Sequence, residues 1–376
     1  MGRYLNPGME SFEKSVNSEI YVDKTGLVGY TNRVMNTVQG YVCVSRPRRF
    51  GKSMAANMLT AYYSRGCDSR EIFSKFEISE SPDFEKYRNK YNTIFLNMQE
   101  FLSRSDSVEA LVDRVKKLVL RDLKREYPDV DYFDDTDLVE SMQDIYETEK
   151  CPFVVIIDEW DCIFREFRQN KEAQEKYLDF LRDLLKDKAC IHLAYMTGIL
   201  PIKKYGTHSA LNMFDEFSMI NPGPLAPYVG FTEVEVEYLC HKYRMDMEEV
   251  KAWYDGYSFS MAASVYSPRS VVNSMLFGKI ENYWNQTETF EALQVYIDMN
   301  FDGLKDDVLS MIAGERIPVN TGSFTNDMTT FRTEDDVLTL LIHLGYLAYD
   351  SENKVVKIPN NEVRNEYVNS VAASDW

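Results

Sequence analysis

Tyr41-Val42-Cys43-Val44-Ser45-Arg46-Pro47-Arg48-Arg49-Phe50-Gly51-Lys52-Ser53 is the stretch that decides the fold. Its first five residues form a short apolar run that reads as a buried strand. A basic loop follows at once, and a helical pattern then runs over 52–64. Strand, loop and helix in that order are what a P-loop needs. The loop folds back so that its backbone N–H groups point at phosphate oxygens, and the helix N-terminus adds its dipole. In this reading Gly51 allows close backbone approach, Lys52 brings a point charge to the β- and γ-phosphates, and Ser53 offers a hydroxyl to Mg²⁺. Arg48, Arg49, Phe50, Gly51, Lys52, Ser53 and Met54 are the expected nucleotide-binding residues. Arg46 stands where the usual G-x-x-x-x-G-K-[ST] pattern has its first glycine. On the loop alone, a basic turn before a surface helix stays open as an alternative.

A second run adds to the case. Phe153-Val154-Val155-Ile156-Ile157 is apolar throughout and ends in Asp158-Glu159. Two acids at the end of a buried strand are costly unless something uses them. In P-loop ATPases an acid here holds Mg²⁺, and the residue beside it can orient and deprotonate the attacking water. Asp158 is therefore the expected metal partner of Ser53, and Glu159 the expected base. A third run, Ile191-His192-Leu193-Ala194-Tyr195-Met196, ends in Thr197-Gly198. Thr197 is a candidate sensor beside the acidic strand end; a hydroxyl that satisfies a local backbone group is an equal alternative.

Working outward, strands are expected over 41–45, 93–97, 153–158 and 191–197. Helices are expected over 52–64, 108–125, 137–147 and 172–186. This alternation is the pattern of an α/β domain with a parallel sheet. The Pro- and Gly-rich stretch Asn221-Pro222-Gly223-Pro224-Leu225-Ala226-Pro227 marks a boundary. Thr232, with Glu235 three residues on, reads as a capping box that opens a helix. The expected organisation is a P-loop NTPase core over 1–221, a helical lid over 222–283, and a winged-helix-like module over 284–376. In that module 345–350 and 354–358 form a hairpin.

Composition narrows the class. The chain has 376 residues, 44% of them hydrophobic and 27% charged, the balance of a soluble globular protein. No apolar run reaches the roughly 18–20 residues of a membrane span, and no signal-peptide core follows Met1. The six cysteines form no Cys-x-x-Cys pair, which reads as reduced thiols in a cytoplasm. His192, His208, His241 and His343 match no zinc spacing. The net charge of −18 repels nucleic acid over most of the surface.

Together these residues resemble the predicted AAA-ATPase-like proteins of bacteria and archaea, many of which carry a PD-(D/E)XK nuclease-like domain at the C-terminus. The resemblance rests on Tyr21-Val22-Asp23-Lys24-Thr25, Arg46 to Ser53, Ile157-Asp158-Glu159-Trp160-Asp161, Thr197-Gly198, Gly230-Phe231-Thr232 and Tyr254-Asp255-Gly256-Tyr257-Ser258-Phe259. An arginine in place of the first loop glycine is normal in that family. Trp160 stands where a tyrosine is usual, Asn212-Met213 where two asparagines are usual, and Tyr266-Ser267-Pro268-Arg269-Ser270 replaces a motif close to Tyr-Asn-Pro-Trp-Ser. The chain ends at Ser374-Asp375-Trp376, about where the nuclease-like domain would begin, as a truncated or a naturally short member would. The resemblance implies Mg-dependent ATP hydrolysis by a switch or motor. It also implies that Asp23-Lys24-Thr25 and 254–259 approach the base, though Asp23 also reads as a helix N-cap and Asp255-Gly256 as a turn. Two alternatives stand beside it: the ATPase module of a nucleic-acid processing factor, and a nucleotide-binding module that does not turn over. A protein partner or self-association is the expected interaction.

Overall fold

In the computed structural model, residues 2–202, 211–259, 262–284, 293, 295–297, 301–325 and 331–373 are described. His208 and Ser374-Asp375-Trp376 lie outside them. Contacts divide the chain into two units. The first holds 1–44, 52–198 and 204–216, and the second 45–51, 199–203 and 217–376. The chain thus passes from the second unit into the first at Gly51–Lys52.

The first unit is built on a five-stranded sheet of order β2-β3-β4-β1-β5. Its strands are β1 (Tyr41–Ser45), β2 (Asn92–Asn97), β3 (Phe153–Asp158), β4 (Ile191–Gly198) and β5 (Asp215–Phe217). β2 pairs with β3 and β3 with β4, both parallel. β3 is buried along its whole length, which is why it reads as an unbroken apolar run rather than an alternating one. The connections are helical: Val108–Glu126 and Leu138–Glu149 lie between β2 and β3, and Lys171–Leu185 lies between β3 and β4. Each starts on a side-chain cap, with Ser107, Asp137 and Asn170 accepting backbone N–H groups of the first turn. The helix Lys52–Tyr63 leaves the P-loop; it is mostly buried, with Ser53 and Met54 exposed in its first turn.

The register puts the chemistry at one edge. Asn97 is opposite Asp158, and Ile157 is opposite Met196, so Thr197 follows directly beside the end of β3. β4, which carries Thr197, lies between the strand that leads into the P-loop and the strand that ends in Asp158. Ligand sites of open α/β sheets lie at this carboxyl edge.

Past the Pro-rich stretch, the second unit carries a three-stranded sheet of β6 (Phe231–Thr232), β8 (Ala262–Tyr266) and β7 (Tyr257–Phe259). Helices Glu233–Tyr243, Met247–Tyr254 and Pro268–Phe277 belong to the same region. Thr232 and Glu235 form the full capping box. Further on come helix Leu304–Ile312, β9 (Ile317–Pro318), helix Glu334–Leu344, the antiparallel hairpin of β10 (Ala348–Asp350) and β11 (Val355–Lys357), and helix Asn361–Ala373. β9 joins the hairpin's edge through β11. Helices with a small three-stranded wing make this a winged-helix arrangement.

Candidate nucleotide site

The site is built around Asp158, the last residue of β3, whose side chain is buried. Several groups address its carboxylate. Thr197 Oγ1 donates to Oδ1 at 3.2 Å and the Glu159 backbone N–H donates to the same oxygen at 3.1 Å. Asn97 Nδ2 lies 3.4 Å from Oδ2, and the Ser53 hydroxyl also bonds the carboxylate. Burial pushes the Asp158 carboxyl up, against the pull of the Ser53 bond and the Lys52 charge. Asn97 has two tasks. Its Oδ1 accepts the N–H of Glu100 and caps the short helix Met98–Leu102, which turns its Nδ2 toward the acid.

Lys52 is buried, and burial holds its ammonium below the usual lysine range. Glu159, Asp161 and Asp158 act in the opposite direction, and Arg165 adds to the lowering. A buried lysine among three carboxylates, with an arginine beside them, is a compact, desolvated charge cluster of the kind that collects at functional sites. Glu159 itself has φ +55°, in the left-handed region that a non-glycine residue occupies at a cost of order 1–3 kcal/mol. Burial pushes its carboxyl up, while Lys52 and Arg165 pull it down. Arg165 reaches Glu159 Oε2 at 2.5 Å, and its Nε lies 3.4 Å from Oδ2 of the buried Asp161.

Gly198, after Thr197, explains the neighbouring tryptophan. A Cβ there would lie 2.7 Å from Asp161 Oδ1 and 2.8 Å from the Trp160 ring. Trp160 is fully buried, its backbone N–H donates to the Thr197 carbonyl at 3.0 Å, and its backbone carbonyl accepts from the Tyr177 hydroxyl. The indole and the missing side chain at 198 are therefore complementary.

Among the described residues no group of three His, Cys, Asp or Glu side chains converges as a metal cage. A Ser53 hydroxyl bonded to the Asp158 carboxylate is instead a pair of hard oxygens. That donor set suits Mg²⁺, which takes one or two protein oxygens and completes its shell with phosphate and water.

The other loop residues group with the second unit. Arg46 is fully buried. Its Nη1 donates to the carbonyls of Ser45 and Phe217 at 2.9 Å each, and its guanidinium lies 5.4 Å from the Phe259 ring centre. Arg49 has φ +70° and donates to the Tyr283 carbonyl at 3.2 Å; Phe50 is buried, edge-on to Tyr257. Arg48 and Met54 are exposed. Gly51 has φ +92° with open space where a Cβ would be, so backbone conformation is what requires glycine there.

Asp23 does not cap the next helix directly. Its two oxygens accept the N–H groups of Thr25 at 2.8 Å and Glu77 at 2.9 Å, and the helix Gly26–Val34 has no side-chain cap. The sequence reading also missed Asn97, Asp161 and Arg165. The Asp161–Arg165 spacing of four residues was the one available signal.

A family model described as predicted AAA-ATPase (AAA-ATPase-like) matches residues 6–207. A protein in the vnfD 5′ region of Azotobacter chroococcum mcd 1, described as uncharacterized, is 25% identical over 298 residues, covering 75% of this chain and 54% of that protein. The chain thus spans about half the length of the curated relative it matches. Among solved structures, the Aeropyrum pernix ORC2 protein in ADPNP–ADP complexes is 13% identical with a TM-score of 0.37, covering 95% of this chain and 97% of that one. The Aeropyrum pernix ORC1 protein in complex with DNA is 10% identical with a TM-score of 0.35, covering 99% and 97%. Cdc6p from Pyrobaculum aerophilum is 9% identical with a TM-score of 0.30, covering 96% and 98%.

Proposed function

Because the chain belongs to the predicted AAA-ATPase family, we propose that it binds ATP with Mg²⁺ and hydrolyses it, acting as a nucleotide-dependent switch or motor. The observation that carries this reading is the meeting of Lys52, Ser53, Asp158, Glu159 and Thr197 at one edge of the sheet. Lys52 binds the β- and γ-phosphates and stabilises the charge of the transferring phosphoryl group. Ser53 and Asp158 would hold Mg²⁺, which would supply neutralisation of charge on the phosphate oxygens. Glu159 orients a water and takes its proton as the water oxygen attacks the γ-phosphorus in line. The bond to the β–γ bridging oxygen breaks, leaving ADP and inorganic phosphate. Thr197 keeps the Asp158 carboxylate in place and senses the γ-phosphate.

A DNA-reading winged module draws no support from charge: residues 284–376 hold six Lys and Arg against sixteen Asp and Glu. A protein partner or a second copy of the chain fits better. No helix among the described residues is long and apolar enough to cross a membrane. The test of hydrolysis is Glu159→Gln, which keeps the side-chain shape and removes the base. It should bind Mg·ATP like wild type and turn over about 10²–10⁴ times more slowly. Turnover at the wild-type rate would remove Glu159 as the base.

A further inference from the structure

We propose that Arg165 is the positioning residue for Glu159, fixing the carboxylate in the orientation from which it addresses water. The inference rests on the hydrolytic reading above and extends it to a residue six positions beyond the base.

Glu159 lies just past the end of β3, where its left-handed backbone turns the side chain out of the line of the strand. The main chain there is held on both sides. The Glu159 N–H is bonded to Asp158 Oδ1 and the Trp160 N–H to the Thr197 carbonyl. The glutamate side chain has three further torsions that this anchoring does not restrict, and freezing such a side chain costs up to about 2 kcal/mol. The restraint comes from Arg165, at 2.5 Å from Oε2.

Arg165 is itself well fixed. Its side chain is 9% exposed, and it stands on the short helix Cys162–Glu166 with Asp161 one turn before it. Burial alone would lower its pKa; Asp161 and Glu159 more than offset this and hold the guanidinium above its ordinary value. Asp161 is in turn walled in by Trp160 and Gly198, as the absence of room for a Cβ at 198 shows. The order of support therefore runs from a rigid turn, through Asp161 and Arg165, to one oxygen of Glu159. A base held by a locked second layer is what efficient proton abstraction requires, and a displacement near 1 Å can cost about 10²-fold in rate.

Arg165→Gln and Arg165→Lys test this in the full chain by single-turnover ATP hydrolysis and by Mg·ATP binding. Arg165→Gln should lose about ten- to a hundredfold in rate while Mg·ATP affinity stays within about threefold. Arg165→Lys should recover part of the rate, because an ammonium can pair with Glu159 but cannot fork to Asp161 as well. Added to Glu159→Gln, Arg165→Gln should cost nothing more, since a positioning residue acts only through the base. An additive loss, or a rate loss matched by lost binding, overturns the proposal in favour of a structural role. A double-mutant cycle on thermal unfolding of the nucleotide-free protein separates the two readings. No coupling between positions 159 and 165 overturns the proposal even if hydrolysis is vigorous. Coupling in a protein that never hydrolyses ATP overturns the hydrolytic reading, and with it the role given to the pair.

Discussion

Thr197 donates its hydroxyl to Oδ1 of Asp158 at 3.2 Å, joining the ends of two adjacent parallel strands. The bond lies in a buried setting, where it acts beside the Glu159 N–H, Asn97 Nδ2 and the Ser53 hydroxyl on the same carboxylate. Thr197→Val keeps the side-chain volume and deletes the donor, so it should destabilise the protein by about 1–3 kcal/mol and slow ATP turnover more than it weakens binding. Chemical denaturation and single-turnover rates check this; unchanged stability would mean that the bond is replaced by water.

Gly198 gives a second prediction. A Cβ at this position would meet the Trp160 ring and Asp161 at 2.7–2.8 Å, and both neighbours are fully buried. Gly198→Ala should cost about 1–3 kcal/mol by overpacking and lower the hydrolysis rate by displacing the Asp161–Arg165 support. A variant as stable and active as wild type would show that the indole can move aside.

A third prediction concerns pH and lies in the second unit. Glu362, fully buried at the start of the last helix, accepts the N–H groups of Tyr283 at 2.7 Å and Trp284 at 2.9 Å, and the hydroxyl of Ser270. Burial still pushes its carboxyl up from an ordinary 4.5 to about 7. The folded protein therefore binds this proton more tightly than the unfolded chain. Stability from this group is greatest below pH 4.5 and falls as pH rises toward 7, by roughly 3 kcal/mol if the whole displacement counts. Glu362→Gln mimics the protonated acid and should flatten the stability curve in that window. An identical slope in both proteins would exclude Glu362 as the source.

The arginines of the loop give a fourth. Arg46 is enclosed by the Ser45 and Phe217 carbonyls and the Phe259 ring, and Arg49 is bonded to the Tyr283 carbonyl with the Glu362 charge nearby. Both are engaged within their own chain; Arg48 is the exposed arginine of the loop, and mixing experiments test whether it acts in cis or on a neighbouring subunit. Cis action predicts flat specific activity over a wide dilution series. It also predicts no rescue when Arg48→Ala and Lys52→Ala subunits are mixed. Rescue would establish a finger acting in trans.

Much of the core was legible because the inner strands announce themselves by burial. Phe153–Ile157 has no polar residue until the sheet edge, where Asp158 appears; β1 reaches Ser45 in the same way, and the buried run of β4 from Leu193 reaches Thr197 just before its end at Gly198. Thr232 and Glu235 were legible because a capping box is local. β5 was not: Asp215-Glu216-Phe217 carries two acids and owes its strand to its place at the sheet edge. Asn97 and Arg165 were hidden for a similar reason. What they do depends on partners that the sheet register and a short helix bring to them. Asp23 is the instructive case. Its neighbourhood to Thr25 suggested a cap, while its second oxygen serves Glu77, 54 residues away.

The most direct test of the central claim is thermal unfolding of wild type and Lys52→Ala with and without Mg·ATP. A ligand at a hundred times its dissociation constant stabilises the folded state by about 2.7 kcal/mol. The account predicts a clear upward shift for wild type and little or none for Lys52→Ala, whose cluster of Asp158, Glu159 and Asp161 has lost its buried ammonium. Equal stabilisation of the two proteins would contradict the assignment of the P-loop.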